Sequence, residues 1–268
     1  MNPIECPRGK SSQLTRMKSI RFAFMILSAA VLWWPVRAMS QVAPTNRWDA
    51  SVAAGLTLTR GNTDTLLSTL TFKALRRATN SEVLLGAAGS YGEATTDRSE
   101  KDEETRTTAA NVQAYGQFNY LFTERFYSGG RVDFVHDAIA DLKYRVTVSP
   151  LAGYYAVKNP KTKLAFELGP SGVFERQGLE DNQYAALRFG DRFEHKFAPK
   201  AKLWQAFDVV PQIDRFSNYL LIAELGIEAA ITDKVLLRAV LQDTYDNEPA
   251  IRRKHNDVKL ITSVVYKF

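Results

Sequence analysis

Lys163–Glu175 reads K-L-A-F-E-L-G-P-S-G-V-F-E. In an extended chain Leu164, Phe166, Leu168, Pro170, Gly172 and Phe174 fall on one side, and Lys163, Ala165, Glu167, Gly169, Ser171, Val173 and Glu175 on the other, because successive side chains of a strand point to opposite faces. One row is apolar and the other carries the charge. A soluble sandwich turns the apolar row inward and bathes the charged row in water; a membrane barrel reverses the two. The neighbouring sequence decides between them.

From Trp48 onward the same period-2 pattern recurs, broken by turn-forming clusters such as GNTD, TNS, KNPKT, APK and TDK. Twelve strands are expected, over 48–59, 65–77, 82–92, 106–121, 126–139, 142–156, 163–176, 183–197, 202–216, 219–231, 234–246 and 257–268. Val112, Ala114, Gly116, Phe118 and Tyr120 alternate with Asn111, Gln113, Tyr115, Gln117 and Asn119; Leu187, Phe189 and Phe193 alternate with Arg188, Gly190, Arg192 and Glu194. Most segments are longer than the ~5–6 residues of an ordinary strand and reach the ~9–11 that a tilted strand needs to cross a bilayer. The fold expected is an all-β, closed, antiparallel up-and-down transmembrane β-barrel of about twelve strands, occupying residues 41–268.

The first 40 residues explain most of the chain's basicity. They hold Arg8, Lys10, Arg16, Lys18, Arg21 and Arg37 against Glu5. Without them the totals of 35 basic and 29 acidic residues fall to 29 and 28, a net charge of +1 instead of +6. No basic stripe for nucleic acid remains. Phe22–Trp34 is an uncharged apolar run of 13 residues, roughly 20 Å as a helix and short of the ~30 Å hydrocarbon core. With Lys18 and Arg21 before it and Ala38 and Ser40 after it, residues 1–40 read as a cleavable signal peptide, with Met17 as an alternative start. The only cysteine, Cys6, lies in this segment, so the mature chain has no disulfide framework.

With both termini on the periplasmic side, the short turns fall inside and the two longest connections, EATTDRSEKDEET and NEPAIRRKHN, fall outside. The last strand would pair with the first, and Val264, Tyr266 and Phe268 resemble the C-terminal signal by which bacterial outer-membrane assembly machinery recognises its clients.

Trp48–Thr65, W-D-A-S-V-A-A-G-L-T-L-T-R-G-N-T-D-T, resembles the first hairpin of a bacterial family of barrels named salt-induced outer-membrane proteins, through Trp48, Gly55, Gly61, Asn62, Thr63 and Asp64. The resemblance implies an outer-membrane barrel and specifies no activity. Physically, Gly61-Asn62 suits the positive φ of a tight hairpin, Asp64 can cap the turn, and Trp48 suits a membrane interface.

Catalytic chemistry finds little support. The three histidines, His136, His195 and His255, are far apart in sequence and belong to no known catalytic or metal-binding motif. We expect no catalytic residue, no metal and no cofactor. One parity collects Arg131, Asp133, Glu167, Glu175, Arg188, Arg192, Glu194, Asp208, Glu224, Glu228, Arg238 and Asp257, charges that either cross-link a filled barrel or line a narrow aqueous pore. The acidic segment 93–105 reads as a solvated loop, and Arg252, Arg253 and Lys254 as contacts for lipopolysaccharide phosphates.

The sequence thus predicts a monomer in the bacterial outer membrane, exported by its signal peptide. Its partners would be outer-membrane lipid, lipopolysaccharide and the barrel assembly machinery, with no nucleic acid. Its function would be that of a small passive channel or an envelope-integrity protein linked to osmotic or salt conditions. The alternatives are a lipid-modifying barrel enzyme of deacylase or phospholipase type and a soluble periplasmic ligand binder.

Overall fold

The computed structural model describes residues 46–59, 63–97, 103–250 and 253–268. The expected signal peptide, Cys6 and Met17 lie outside the described residues. Twelve strands follow in order: β1 (Trp48–Thr59), β2 (Thr63–Arg77), β3 (Ser81–Asp97), β4 (Glu103–Leu121), β5 (Phe126–Asp137), β6 (Leu142–Lys158), β7 (Thr162–Gln177), β8 (Glu180–Ala198), β9 (Ala201–Pro211), β10 (Tyr219–Ala230), β11 (Val235–Asp246) and β12 (Asn256–Lys267). Each pairs antiparallel with the next, and β12 pairs back onto β1 through Ser51↔Lys267, Val52↔Tyr266, Ala53↔Val265 and Ala54↔Val264. The sheet is a closed barrel, so no edge strand is left without a partner. At the seam a Cβ on Gly55 would run into the Thr262 carbonyl and the Thr69 hydroxyl; glycine lets β12 approach β1 closely.

The register carries the two rows of side chains around the wall, because directly opposed residues share a face. Ala165, Arg192, Ala206, Glu224, Gln242 and Lys259 follow one another across β7–β12 on one face; Leu168, Phe189, Val209, Leu221 and Tyr245 follow one another across β7–β11 on the other. The apolar face is the exposed one: Leu168, Phe189, Ile227, Leu237 and Leu260 are all open to the surroundings. Glu167, Glu175, Arg188, Asp208, Glu228 and Arg238 are buried. That is the reverse of a soluble β-protein. Among the described residues two small apolar clusters line the inner face, Ala53 with Leu236 and Val265, and Val173 with Ala186, Val210 and Leu220.

One end of the barrel, the turn end, carries the connections 78–80, 122–125, 159–161, 199–200 and 231–234. Short polar side chains close several of these: Thr123 Oγ1 accepts from the Phe126 amide, Asn159 Oδ1 from Thr162, and Thr232 Oγ1 from Val235. Trp48, Phe122, Phe126, Phe197, Tyr266 and Phe268 are exposed near this end, an aromatic girdle of the kind found at a membrane boundary. The Phe268 amide donates to the Ala50 carbonyl at 3.0 Å.

Several boundaries differ from the sequence reading, most of all in three places. Segment 93–105 is not simply a loop: β3 runs to Asp97 and β4 begins at Glu103, with a bulge at Gly92/Glu93. Its threonines favour extended backbone, and residues 98–102 lie outside the described residues. β2 begins at Thr63, so Thr63 and Asp64 pair with Thr96 and Thr95 as strand residues. β9 stops at Pro211 and not at 216, because proline has no N–H to continue the ladder.

Candidate functional site: a braced lumen

Inward-pointing side chains meet across the barrel at three levels. Near the turn end, Trp204 lies flat on its register partner Gly226, where any Cβ would overlap the indole. Its Nε1 donates to Glu224 Oε1 at 2.7 Å, and Lys73 Nζ on β2 reaches the same oxygen at 3.3 Å. Lys73, Lys202 and Arg238 stand 5.5, 5.5 and 5.7 Å from the Trp204 ring centre, within cation–π range. Arg238 donates twice to Glu228 Oε2, at 3.0 and 2.8 Å, and Lys267 lies 3.4 Å from Glu228 Oε1. On the facing wall Tyr155 donates to Glu82 Oε2 at 2.8 Å, and Arg77 lies 3.4 Å from Glu82 Oε1.

At the middle level three arginines meet three carboxylates. Arg131 forks onto Asp133 at 2.6–2.9 Å and donates to Gln117 Oε1 at 3.2 Å. Arg188 and Arg192 both donate to Asp208, at 2.7–2.9 Å. Glu167 accepts from Gln117 at 2.7 Å and from Tyr127 at 2.9 Å. Looser contacts, Arg188 to Asp133 at 3.6 Å and Arg192 to Glu167 at 3.8 Å, join the groups. Buried charges are tolerable only when paired and hydrogen-bonded in this way. Tyr127 and Tyr115 lie flat over Gly153 and Gly86, their register partners, which keeps two rings against the wall and out of the bore. Near the opposite end Arg145 bridges Glu175 and Asp246, the latter at 2.7 Å.

Two of these contacts say what the cross-section is. Twelve strands about 4.8 Å apart and tilted by about 40° make a circle roughly 24 Å across between backbones. Arg145 on β6 and Asp246 on β11 are five strand steps apart, and Lys73 and Glu224 on β2 and β10 are four. Their combined side-chain reach is far short of that diameter, so the barrel is flattened and the bore is a slit crossed at both ends.

All twelve charges singled out in the sequence (Arg131, Asp133, Glu167, Glu175, Arg188, Arg192, Glu194, Asp208, Glu224, Glu228, Arg238 and Asp257) stand on the inner face. Sequence reasoning missed Lys73, Glu82, Arg145, Lys202, Asp246 and the aromatic seats. Gln117 and Tyr127 were missed as ligands of Glu167. It also missed a polar pair on the outer row: Asp191 accepts from Gln205 at 3.2 Å, and both are buried.

The remaining candidates are dispersed. Trp48 stands at the turn-end edge of β1, with the Arg76 guanidinium 6.0 Å away. Gly61, Asn62 and Arg252 lie outside the described residues, while Arg253 and Lys254 are exposed at the other end. Val264, Tyr266 and Phe268 share the outward row of the seam, the last two rings edge to face at 5.2 Å. His136 binds the Lys143 carbonyl at 2.8 Å, His195 the Thr162 hydroxyl at 2.8 Å and His255 the Asp246 carbonyl at 3.0 Å. His136 also lines a shallow depression of about 510 Å³ on the outer wall, with Ser68, Leu70, Tyr91 and Val112.

A family profile described as "Protein of unknown function, DUF481" matches residues 52–268. The chain belongs to the DUF481 family. No curated protein matches it. Among solved structures, the DUF481 barrel is similar to the COG4313 outer membrane channel from Pseudomonas putida F1, at 11% identity and a TM-score of 0.49 over 88% of this chain and 100% of that one. It is also similar to the KdgM porin, at 8% identity and a TM-score of 0.44 over 83% and 99%. The NanC porin is similar at 6% identity and a TM-score of 0.46 over 81% and 98%. At such identities the likeness is one of fold.

Proposed function

We propose that this DUF481 protein is a monomeric outer-membrane channel of narrow bore for ions and small solutes, its slit held nearly closed by charged side chains that meet across it. The observation that carries the reading is the Lys73–Glu224 contact. It crosses the lumen, yet its side chains keep 36% and 26% of their surface exposed. Water therefore reaches a cross-lumen brace, and a hydrated ion pair is weak enough to part. A permanent plug would be dry and tightly paired along its whole length. Because both signs line the slit in comparable number, charge selectivity is weak.

In this reading residues 1–40 direct export, and the barrel assembly machinery engages Val264, Tyr266 and Phe268. Arg252, Arg253 and Lys254 face lipopolysaccharide phosphates. A role in osmotic or salt adjustment rests on the resemblance of the first hairpin alone. Two measurements test the proposal together. Unheated protein should run anomalously on a detergent gel and shift on boiling. In planar bilayers it should show small, brief openings that lengthen in Lys73→Ala. Silent bilayers for both proteins, with turnover of added lipid, would replace the channel by the lipid-modifying enzyme.

A further inference from the structure

We propose that the turn-end rim is a collar that binds the headgroups of anionic phospholipids. Four of the five connections at this end bear an unpaired cation in or beside the turn: Arg125, Lys161, Lys196 with Lys200, and Lys234; the fifth, 78–80, follows Arg77, which lies 3.4 Å from Glu82. Those first five cations are exposed, and none is paired with a carboxylate among the described residues. The carboxylates of the rim, Asp49, Glu124 and Asp233, are fewer. The opposite rim carries both signs among the described residues: Asp141, Glu180, Asp214 and Glu248 are interspersed with Lys143, Arg176, Arg215, Arg253 and Lys254, and Arg215 pairs with Glu248 at 2.5 Å.

Position says what the collar meets. Arg125, Lys161, Lys200 and Lys234 lie in the turns, beyond the strand residues Phe126, Phe197 and Tyr266 of the girdle, and Lys196 stands next to Phe197. Aromatic girdles mark the hydrocarbon boundary, so a basic side chain one turn further out lies at phosphate depth. The turns are also tied to each other: the Lys196 amide donates to the Lys161 carbonyl at 2.7 Å, and the Ala230 amide to the Lys200 carbonyl at 2.7 Å. The collar is therefore a fixed arc and not a set of independent tails. A leaflet of anionic lipid gains Coulomb energy against each exposed, unpaired cation at low cost, since neither partner leaves water.

The inference rests on the reading of the barrel as membrane-spanning, and the test separates the two. The protein is reconstituted into nanodiscs of phosphatidylcholine mixed with phosphatidylglycerol, and the lipids retained after partial delipidation are counted by native mass spectrometry. The expected result is an enrichment of phosphatidylglycerol of about fivefold, the size of one basic side chain acting at a charged surface. The enrichment should vanish in R125Q/K161Q/K196Q/K200Q/K234Q and persist in K143Q/R176Q/R215Q, which alters the opposite end. Equal retention by wild type and the five-site variant overturns the collar, as does loss of enrichment in the opposite-end variant. Failure of the wild type to enter the discs overturns the membrane reading itself.

Discussion

Arg145 on β6 donates to Asp246 on β11 at 2.7 Å, although five strands' steps around the wall separate them. The guanidinium also serves Glu175, and the three side chains are only 6–18% exposed. Arg145→Met would leave two carboxylates facing each other without a cation. Removing one partner of a buried pair costs ~3–5 kcal/mol, and some lumen water brings the expected loss to the lower part of that range. The temperature at which the folded gel band disappears should drop, and Asp246→Asn in the same chain should recover part of the drop. Strictly additive losses would show that the two residues are not coupled.

Lys73–Glu224 should behave differently, although it too crosses the bore. Its exposure puts it among hydrated pairs worth ~0–1 kcal/mol, and Glu224 keeps its bond from Trp204 when Lys73 is gone. Lys73→Ala is expected to leave the unfolding temperature nearly unchanged while increasing unit conductance. A large stability loss without any change in conductance would make the contact a structural strut.

Much of this arrangement was legible in the alternation. Leu164, Phe166 and Leu168 against Ala165, Glu167 and Gly169 fixes one face per parity, and antiparallel pairing then carries the faces around the whole wall. What the alternation hides is distance across the lumen. Nothing near Arg145 in the sequence points to Asp246, 101 residues later; the contact arises from the flattening of the barrel. The same gap explains Lys73, which stands in an apolar-looking strand between Phe72 and Ala74. Asp191 escaped because it interrupts an otherwise aromatic row, Phe189 and Phe193, and its partner Gln205 belongs to another strand.

The aromatic seats give a third prediction. Trp204 rests on Gly226 with no room for a methyl group between them. Gly226→Val forces the indole off the wall, away from Glu224 and toward the cations that surround it. Overpacking of this kind costs ~1–3 kcal/mol. Trp204→Ala should rescue Gly226→Val, so that the double variant is more stable than Gly226→Val alone. Thermal unfolding in detergent followed by circular dichroism reads the cycle, and a double variant weaker than both singles would refute steric conflict as the cause.

The assignment of faces is tested most directly by one charge placed on each. Leu168 lies mid-strand on the outward row of β7 and is 52% exposed. An arginine there must stand in hydrocarbon at a cost of ~2–4 kcal/mol near the bilayer midplane. Gln113 lies on the inward row of β4, between Ala88 and Val135, where a guanidinium stays out of the hydrocarbon. Leu168→Arg is therefore expected to fold poorly into phosphatidylcholine vesicles, with a reduced heat-shiftable fraction, and Gln113→Arg to fold like the wild type. The opposite pattern can arise only if the apolar row faces a dry interior and the charged row faces water, because the same side chain has been added to strands of the same sheet and only its direction differs.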